Sequence, residues 1–162
     1  TFNLGMMATG SLLKVAEFIF FNRLYAEPAA QDAIWAVTNG HRLENIAHPE
    51  LANFVAETLG KERPKYTVRQ RNISSPGQPA YQYVPATLEG VFKYSFEKDQ
   101  KVSFGLFNEN GEQVRTFFED QLQKKGHWEF SFYFEISRLP KGKYSVRLTH
   151  GNVEIDRMEV EF

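Results

Sequence analysis

The stretch of sequence that decides the fold is HWEFSFYFEI, residues 127–136. Large apolar side chains alternate in it with polar ones. Every second residue is apolar, namely Trp128, Phe130, Phe132, Phe134 and Ile136. The residues between them are His127, Glu129, Ser131, Tyr133 and Glu135. Because successive side chains of a strand point to opposite faces, this alternation predicts a β-strand with one buried face.

The same alternation continues on both sides of this stretch. Three further sets of apolar residues share one face each: Phe92, Tyr94 and Phe96; Val102, Phe104 and Leu106; and Tyr144, Val146 and Leu148. Asn110-Gly111 predicts a hairpin, since both residue types tolerate a positive φ angle. The last strand changes phase, and a bulge at Asp156-Arg157 would bring five apolar residues to the core: Val153, Ile155, Met158, Val160 and Phe162. About six short strands separated by turns predict an antiparallel β-sandwich over residues 88–162.

The first 60 residues are typical of helices instead. A hydroxyl of Thr9 or Ser11 can cap a helix that runs from about Leu12 to Tyr25. Its apolar residues lie nearly all round, which indicates a central position or a partner surface. Two more helices are predicted, from Pro28 to Asn39-Gly40 and from His48-Pro49 to Gly60. We therefore expect an α+β chain in which a small helical domain, residues 1–60, precedes the sandwich.

A basic segment joins the two parts. Residues 61–87 contain five cations and one nearby acid, Glu62; the cations are Lys61, Arg63, Lys65, Arg69 and Arg71. A stretch rich in Ser, Pro and Gly follows, SSPGQP at residues 74–79. This composition predicts a linker. The basic run is interpreted as a solvated connector or an edge strand, and a site for phosphate or a polyanionic glycan is the alternative.

Composition excludes several classes of chemistry. The chain has 162 residues, no Cys and a net charge of −1. Without Cys there is no thiolate catalysis, zinc–thiolate site, iron–sulfur cluster or disulfide. The near-neutral charge argues against a dedicated nucleic-acid binder, and no apolar run approaches the length of about 20 residues that spans a bilayer. No signal-peptide pattern is visible. Because the sequence starts at Thr1 rather than Met, we expect a mature or trimmed form.

Recognised catalytic patterns are also missing. The sequence contains no G-x-S-x-G, H-E-x-x-H, P-loop or dinucleotide-binding glycine pattern. His41 and His48 lie near Glu44 and Glu50, but their spacing matches no strong metal signature. The sequence therefore predicts no catalytic residue, metal or cofactor, and it leaves His41, His48 and Tyr133 as candidate binding residues.

Several aromatic residues fall outside the apolar faces. They are Phe18, Phe21, Phe107, Phe117 and Tyr133. We expect most of them to pack the helical domain against the sandwich. A ligand or partner surface, for example one that stacks on sugar rings, is the alternative.

The C-terminal part resembles a known module. LFNENGEQV, residues 106–114, resembles the strand–turn–strand "LYDxxGxxV" of small Ig-like domains, and LPKGKYSVRL, residues 139–148, resembles their "LpxGxYxvrl" strand. The module is similar to the Ig-like domain of flagellar hook-capping proteins and to the C-terminal sorting domain of type IX secretion cargo in Bacteroidetes. The resemblance implies an Ig-like sandwich in an exported bacterial protein.

The helical part carries a second resemblance. QDAIWAVTNG, residues 31–40, resembles the "QxAIWxxTdG" segment of bacterial surface thioester domains, with Gln31, Ala33, Ile34 and Trp35 at matching positions. In that family the Gln side chain joins a Cys thiol in a thioester that reacts with amines. Because this chain has no Cys, the thioester cannot form within it. Either the segment keeps the helical scaffold alone, or the precursor supplies a Cys elsewhere.

Together these features predict a non-catalytic bacterial protein with a role in adhesion, scaffolding or surface binding. We expect it in the periplasm, at the cell surface or in the medium, with a surface protein or a glycan as partner and no nucleic acid. One alternative is an accessory module of a secreted hydrolase or carbohydrate-associated enzyme, whose active site either is built elsewhere or includes His41, Glu44 and His48. The other is a C-terminal secretion-sorting domain.

Overall fold

The chain combines helices and antiparallel sheets in two compact units. The computed structural model describes residues 10–78 and 82–162. The units are Thr1–Thr67, which holds the helices, and Val68–Phe162, which holds the sheets. The α+β class and the order of helices before strands are therefore as the sequence predicts.

The helical unit contains three α-helices in the described part of the chain. They are α1 (Ser11–Phe21), α2 (Pro28–Asn39) and α3 (Pro49–Leu59), and a short 3-10 turn covers Leu43–Asn45. Helices α2 and α3 begin at proline, which needs no N–H in the first turn. Gly40 ends α2 in the left-handed conformation, with a φ angle of 69°.

Helix α1 differs from the prediction at both ends. Gly10 precedes its first residue and makes no side-chain cap, so Ser11 is helical rather than a cap, while Thr9 lies outside the described residues. The helix ends four residues before Tyr25, because Asn22 closes the last turn with its side-chain amide donating to the Phe18 carbonyl at 2.8 Å. Phe20 and Phe21 are 67% and 77% exposed. The helix is therefore not buried all round, and of the two predicted positions, central or at a partner surface, the exposed rings do not fit the central one.

Small and branched residues form the helical core. Its fully or nearly buried members are Val15, Ile19, Leu24, Ala29, Ala30, Ala33, Ala36, Leu43, Ile46, Leu51, Ala52, Val55 and Ala56. Phe18 stacks on Phe54 of α3 with ring centroids 4.3 Å apart. Phe18 thus packs within its own unit.

The strands form two sheets. They are β1 (Tyr66–Asn72), β2 (Tyr83–Phe96), β3 (Gln100–Asn108), β4 (Gln113–Gln123), β5 (Gly126–Glu135), β6 (Lys143–His150) and β7 (Val153–Glu161). One sheet has the order β1-β2-β5 and the other the order β4-β3-β6-β7. The pairs β2–β5, β3–β4, β3–β6 and β6–β7 are antiparallel.

The predicted linker, residues 61–87, contains β1 and the first residues of β2. Strand β1 is an edge of its sheet, and the basic run therefore lies partly on an edge strand. Only Val68 of β1 is buried, while Arg69 and Arg71 are exposed. A strand with so little buried surface has no clear apolar alternation, which is why the sequence pattern did not reveal it.

Aromatic rings join the apolar faces of the two sheets. Phe104 of β3 lies 4.9 Å from Phe92 and 4.8 Å from Phe130, measured between ring centroids. Phe117, which the sequence assigned to domain packing, lies 6.0 Å from the same ring of Phe104. Phe107, also assigned there, lies under the Arg147 guanidinium at 4.7 Å. Both rings therefore find partners inside the sheet unit.

The last strand carries a bulge, but one position earlier than predicted. Leu148 pairs with Asp156 and Thr149 pairs with Glu154, so Ile155 is the extra residue. Val153 remains 66% exposed and does not join the core, whereas Val160 is buried. The prediction that all five apolar residues of this strand reach the core is therefore wrong for Val153.

Candidate functional site

The thioester-like segment forms the middle of α2. Gln31 is exposed, Ala33 is fully buried, and Ile34 and Trp35 are half-buried. Ala33 packs in the helical core, and Ile34 packs against it. The segment therefore acts as an amphipathic helix that turns Gln31 to solvent, in a chain that contains no thiol.

His41 lies beside α2. Its ring centroid is 5.4 Å from that of Trp35, and its backbone N–H donates to the Trp35 carbonyl at 3.3 Å. Burial raises the pKa of the Asp32 carboxyl, and the charge of His41 opposes part of that effect. His41 is thus close to Asp32 and Trp35.

His48 caps helix α3. Its Nδ1 atom accepts a hydrogen bond from the Leu51 backbone N–H at 3.2 Å, the role of an N-cap side chain. Glu44 pairs with Arg42 at 3.5 Å, and Arg42 also donates to the Tyr66 hydroxyl at 2.7 Å. Across residues 10–78 and 82–162, no three His, Asp or Glu side chains lie close enough to hold a metal ion. His41, Glu44 and His48 are therefore not brought together as a site.

Tyr133 lies on a polar sheet face. Along strands β2 and β5 the outward-pointing residues meet in four cross-strand pairs: Glu89 with Tyr133, Val91 with Ser131, Lys93 with Glu129, and Ser95 with His127. We call these eight residues, together with Arg69 of the neighbouring strand β1, the outward face. Tyr133 is 55% exposed there.

Two ion pairs connect side chains of the outward face. Arg69 Nε lies 2.6 Å from Glu89 Oε1, and Lys93 Nζ lies 3.0 Å from Glu129 Oε2. Arg69 and Lys93 therefore each have a carboxylate beside them. The sequence shows which residues share a face, but it does not show that Arg69 and Glu89, 20 positions apart, are neighbours.

Glu135 lies next to the outward face at the end of β5. Hydrogen bonds from Ser137 lower the pKa of its carboxyl, and the charges of Arg71 and Arg115 act in the same direction. This carboxyl is thus ionised at neutral pH and adds an acceptor beside Tyr133.

A shallow concavity lies at the other end of the paired strands β2 and β5. Its volume is about 540 Å³, and three consecutive cross-strand pairs line it: Lys93, Tyr94, Ser95, His127, Trp128 and Glu129. This volume falls in the range of about 300–1,000 Å³ that is typical of small-molecule sites. Trp128 was predicted in the core, but it is 38% exposed and its indole N–H donates to the Lys124 carbonyl at 2.6 Å. The concavity therefore offers donors, acceptors and aromatic surface.

Ser95 and His127 make a direct contact in this concavity. Ser95 Oγ lies 2.5 Å from His127 Nδ1. A nucleophile–base pair also needs a third group that orients the base and donors that stabilise an oxyanion. In the described part of the chain, no carboxylate hydrogen-bonds the other ring nitrogen of His127. The contact is a cross-strand hydrogen bond rather than an assembled triad.

Comparisons with known proteins assign the chain to no family. No protein-family model matches it, and no curated protein matches it. A crystal structure of a protein assigned as a beta-galactosidase from Bacteroides fragilis is similar, with 16% sequence identity and a TM-score of 0.27; the alignment covers 60% of this chain and 16% of that one. Such a low TM-score carries no argument about fold or activity.

None of the helices within residues 10–78 and 82–162 has both the length and the apolar character that crossing a bilayer requires.

Proposed function

We propose that this chain is a non-catalytic bacterial protein that acts outside the cytoplasm in adhesion, scaffolding or surface binding. In this proposal a small helical domain precedes an Ig-like β-sandwich. The observation that carries the proposal is the outward face, where an exposed aromatic ring and paired charges stand on a regular sheet. Exposed aromatic residues flanked by polar groups are typical of binding surfaces.

The strand order supports an Ig-like sandwich. Consecutive strands β2 and β3 lie in different sheets, and so do β5 and β6, which is the kind of connection that Greek-key sandwiches use. The rings of Phe92 and Phe104 connect the two sheets through one apolar core. Tyr144 at the start of β6 donates its hydroxyl to the Pro140 carbonyl at 2.7 Å, as in the tyrosine corner of Ig-like domains.

Cellular location is the first experiment. An antibody raised against the purified chain would follow the protein in intact and lysed cells of the source bacterium after protease treatment, with a cytosolic protein as control. We expect the protein in the periplasmic, surface or medium fraction. Recovery with the cytosolic control in every fraction would contradict the proposal.

An accessory module of a secreted carbohydrate-associated enzyme is the second candidate function. The concavity at Lys93 and Glu129 favours it, because its volume suits a small ligand. An immunoblot of the native protein distinguishes the two candidates. A band much larger than 18.7 kDa that co-purifies with glycoside hydrolase activity supports the accessory module, and a band near that mass without such activity supports the first proposal.

A further inference from the structure

We propose that the outward face binds a neutral oligosaccharide, with Tyr133 as its stacking platform and the Lys93–Glu129 pair as its second contact. This inference rests on the proposed surface-binding function and names the ligand class of the same surface. It is carried by the exposure of Tyr133, the balance of charge and the spacing of the two contacts.

The ring of Tyr133 suits the apolar face of a sugar. Tyr133 is 55% exposed on β5, an edge strand of its sheet, so its aromatic ring leaves much apolar surface in water. A pyranose ring presents C–H groups on one face and hydroxyl groups around its edge. Stacking on Tyr133 would cover both apolar surfaces, and the hydroxyl edge would reach the Glu89 carboxylate opposite Tyr133.

The charge balance favours a neutral ligand over a polyanion. Arg69 is paired with Glu89 at 2.6 Å and Lys93 with Glu129 at 3.0 Å. The charge of Arg71, which is also exposed on β1, acts on the nearby Glu135 carboxylate. A sulfated or phosphorylated ligand would have to displace these carboxylates or lie against them. A hydroxyl group can donate to the carboxylate and accept from the cation of the same pair, because charge-assisted hydrogen bonds of both kinds are available there.

The two ion pairs, Arg69–Glu89 and Lys93–Glu129, also favour a sugar over a protein partner that would cover the whole face. A protein that covered the face would remove the ion pairs from water, and the loss of solvation around charged pairs can exceed their mutual attraction. An oligosaccharide leaves the pairs partly hydrated while its hydroxyls contact them, as water-mediated and direct hydrogen bonds coexist in wet sites.

The spacing indicates more than one sugar unit. Glu129 lies four positions before Tyr133 on the same strand and on the same face. At a rise of about 3.4 Å per residue, the two positions are about 14 Å apart. A ligand that contacts both is therefore an oligosaccharide that runs along β5.

The test measures binding of the full chain to defined sugars by isothermal titration calorimetry. The probes are neutral gluco-, galacto-, manno- and xylo-tetrasaccharides and one sulfated heparin tetrasaccharide. We expect at least one neutral probe to bind, with little dependence on salt concentration. Tyr133→Ala should weaken that binding about tenfold, because it removes the stacking surface. Glu129→Gln should weaken it by a smaller factor and keep the fold.

The matched control is Tyr25→Ala. Tyr25 is a similarly exposed tyrosine in the helical unit, and its loss should leave the affinity unchanged. Thermal unfolding of each variant shows whether it remains folded. Binding of the sulfated probe alone, no binding of any neutral probe, or equal affinity after Tyr133→Ala would each overturn the inference. These outcomes are independent of the location experiment, which tests the proposed function itself.

Discussion

The core of the helical unit contains many small side chains, whereas the core of the sheet unit contains many large ones. Six alanines are buried between the helices: Ala29, Ala30, Ala33, Ala36, Ala52 and Ala56. The sheet unit instead buries large rings, namely Phe92, Phe96, Phe104, Phe132 and Phe134. The two units therefore respond to opposite kinds of substitution.

The difference follows from the distance between the packed elements. Helices pack about 8–10 Å apart when the contacting side chains are small, and alanine lets α2 and α3 approach closely. Packed sheets lie about 10 Å apart across a continuous layer of side chains, which only large residues fill. Truncation should therefore damage the sheet unit most, and enlargement should damage the helical unit. The two tryptophans permit a separate measurement of each unit, because Trp35 lies in α2 and Trp128 in β5.

The largest effect is expected for Phe104→Ala. Phe104 is fully buried, and its ring meets rings of β2, β4 and β5. The cavity and the lost burial should lower the free energy of unfolding by about 3–5 kcal/mol. Urea unfolding followed by Trp128 fluorescence in a Trp35→Phe background measures it. Phe21→Ala is the control, and an equal effect of both substitutions would contradict the account of the ring core.

Gly105→Ala tests whether the sheet unit also has one position that requires a small residue. A Cβ at Gly105 would lie 2.5 Å from Gln113 Nε2 and 2.6 Å from the Arg115 carbonyl oxygen. Since the backbone oxygen cannot simply rotate away, we expect a loss of about 1–3 kcal/mol in the same assay. Adding Gln113→Ala should recover only part of the loss. Full recovery would show that the side chain alone is responsible.

Ala33→Leu is the matching enlargement in the helical unit. Ala33 is fully buried in the helical core, so the larger side chain should lower the free energy of unfolding by about 1–3 kcal/mol. The reporter is Trp35 fluorescence in a Trp128→Phe background. Gln31→Leu, two positions earlier on the exposed side of α2, should change stability by less than about 0.5 kcal/mol. If Ala33→Leu left the free energy of unfolding unchanged, the proposed contrast between the units would be wrong.

Tyr144→Phe should have a smaller effect. It removes the hydroxyl that donates to Pro140 but keeps the ring, which stacks on Phe162 at 4.5 Å. The expected loss is about 0.5–1.5 kcal/mol, the net value of one hydrogen bond. Tyr133→Phe serves as the control within the same unit, because its hydroxyl is on an exposed side chain. Equal stability of both variants would argue against a tyrosine corner.

The smallest expected effect is a pH dependence of opposite sign in the two units. Burial raises the pKa of Asp32 above 3.8, so the folded helical unit binds a proton more readily than the unfolded chain, and its stability should fall as pH rises through that range. The hydrogen bond from Arg157 lowers the pKa of Glu154 below 4.5, so the sheet unit should lose stability as pH falls through that range.

Urea midpoints of the two single-tryptophan variants between about pH 3 and about pH 6 check this prediction. Asp32→Asn should reduce the change of the urea midpoint with pH that Trp35 fluorescence reports. Glu154→Gln should reduce the change with pH that Trp128 fluorescence reports. Profiles with the same sign in both units would contradict the assignment.

Much of the secondary structure could be predicted, and the failures share one cause. Helices α2 and α3 and the strand at residues 127–136 were predicted closely, because proline, glycine and alternation act within a few residues of chain. Strand β1 was missed because an edge strand with one buried residue has almost no apolar pattern. The bulge was placed one residue late, because its position depends on which residues of β6 face β7.

The candidate site was predictable only in part. Tyr133 was identified as an aromatic residue on a polar face, and its exposure confirms that placement. His41 and His48 were paired by their nearness in sequence, yet one packs beside Trp35 and the other caps α3. Nearness along the chain did not predict function there, because a loop can turn two nearby side chains to different neighbours.

The sequence by itself determined the α+β class, the helix-then-strand order and the face on which Tyr133 lies, since these depend on local periodicity. It also excluded thiol chemistry, since the chain contains no Cys. Only the tertiary structure decided that Glu89 lies opposite Tyr133, that Arg69 pairs with Glu89, and that Lys93 pairs with Glu129. Those pairs depend on strand register, which long-range packing sets and no short stretch of sequence contains.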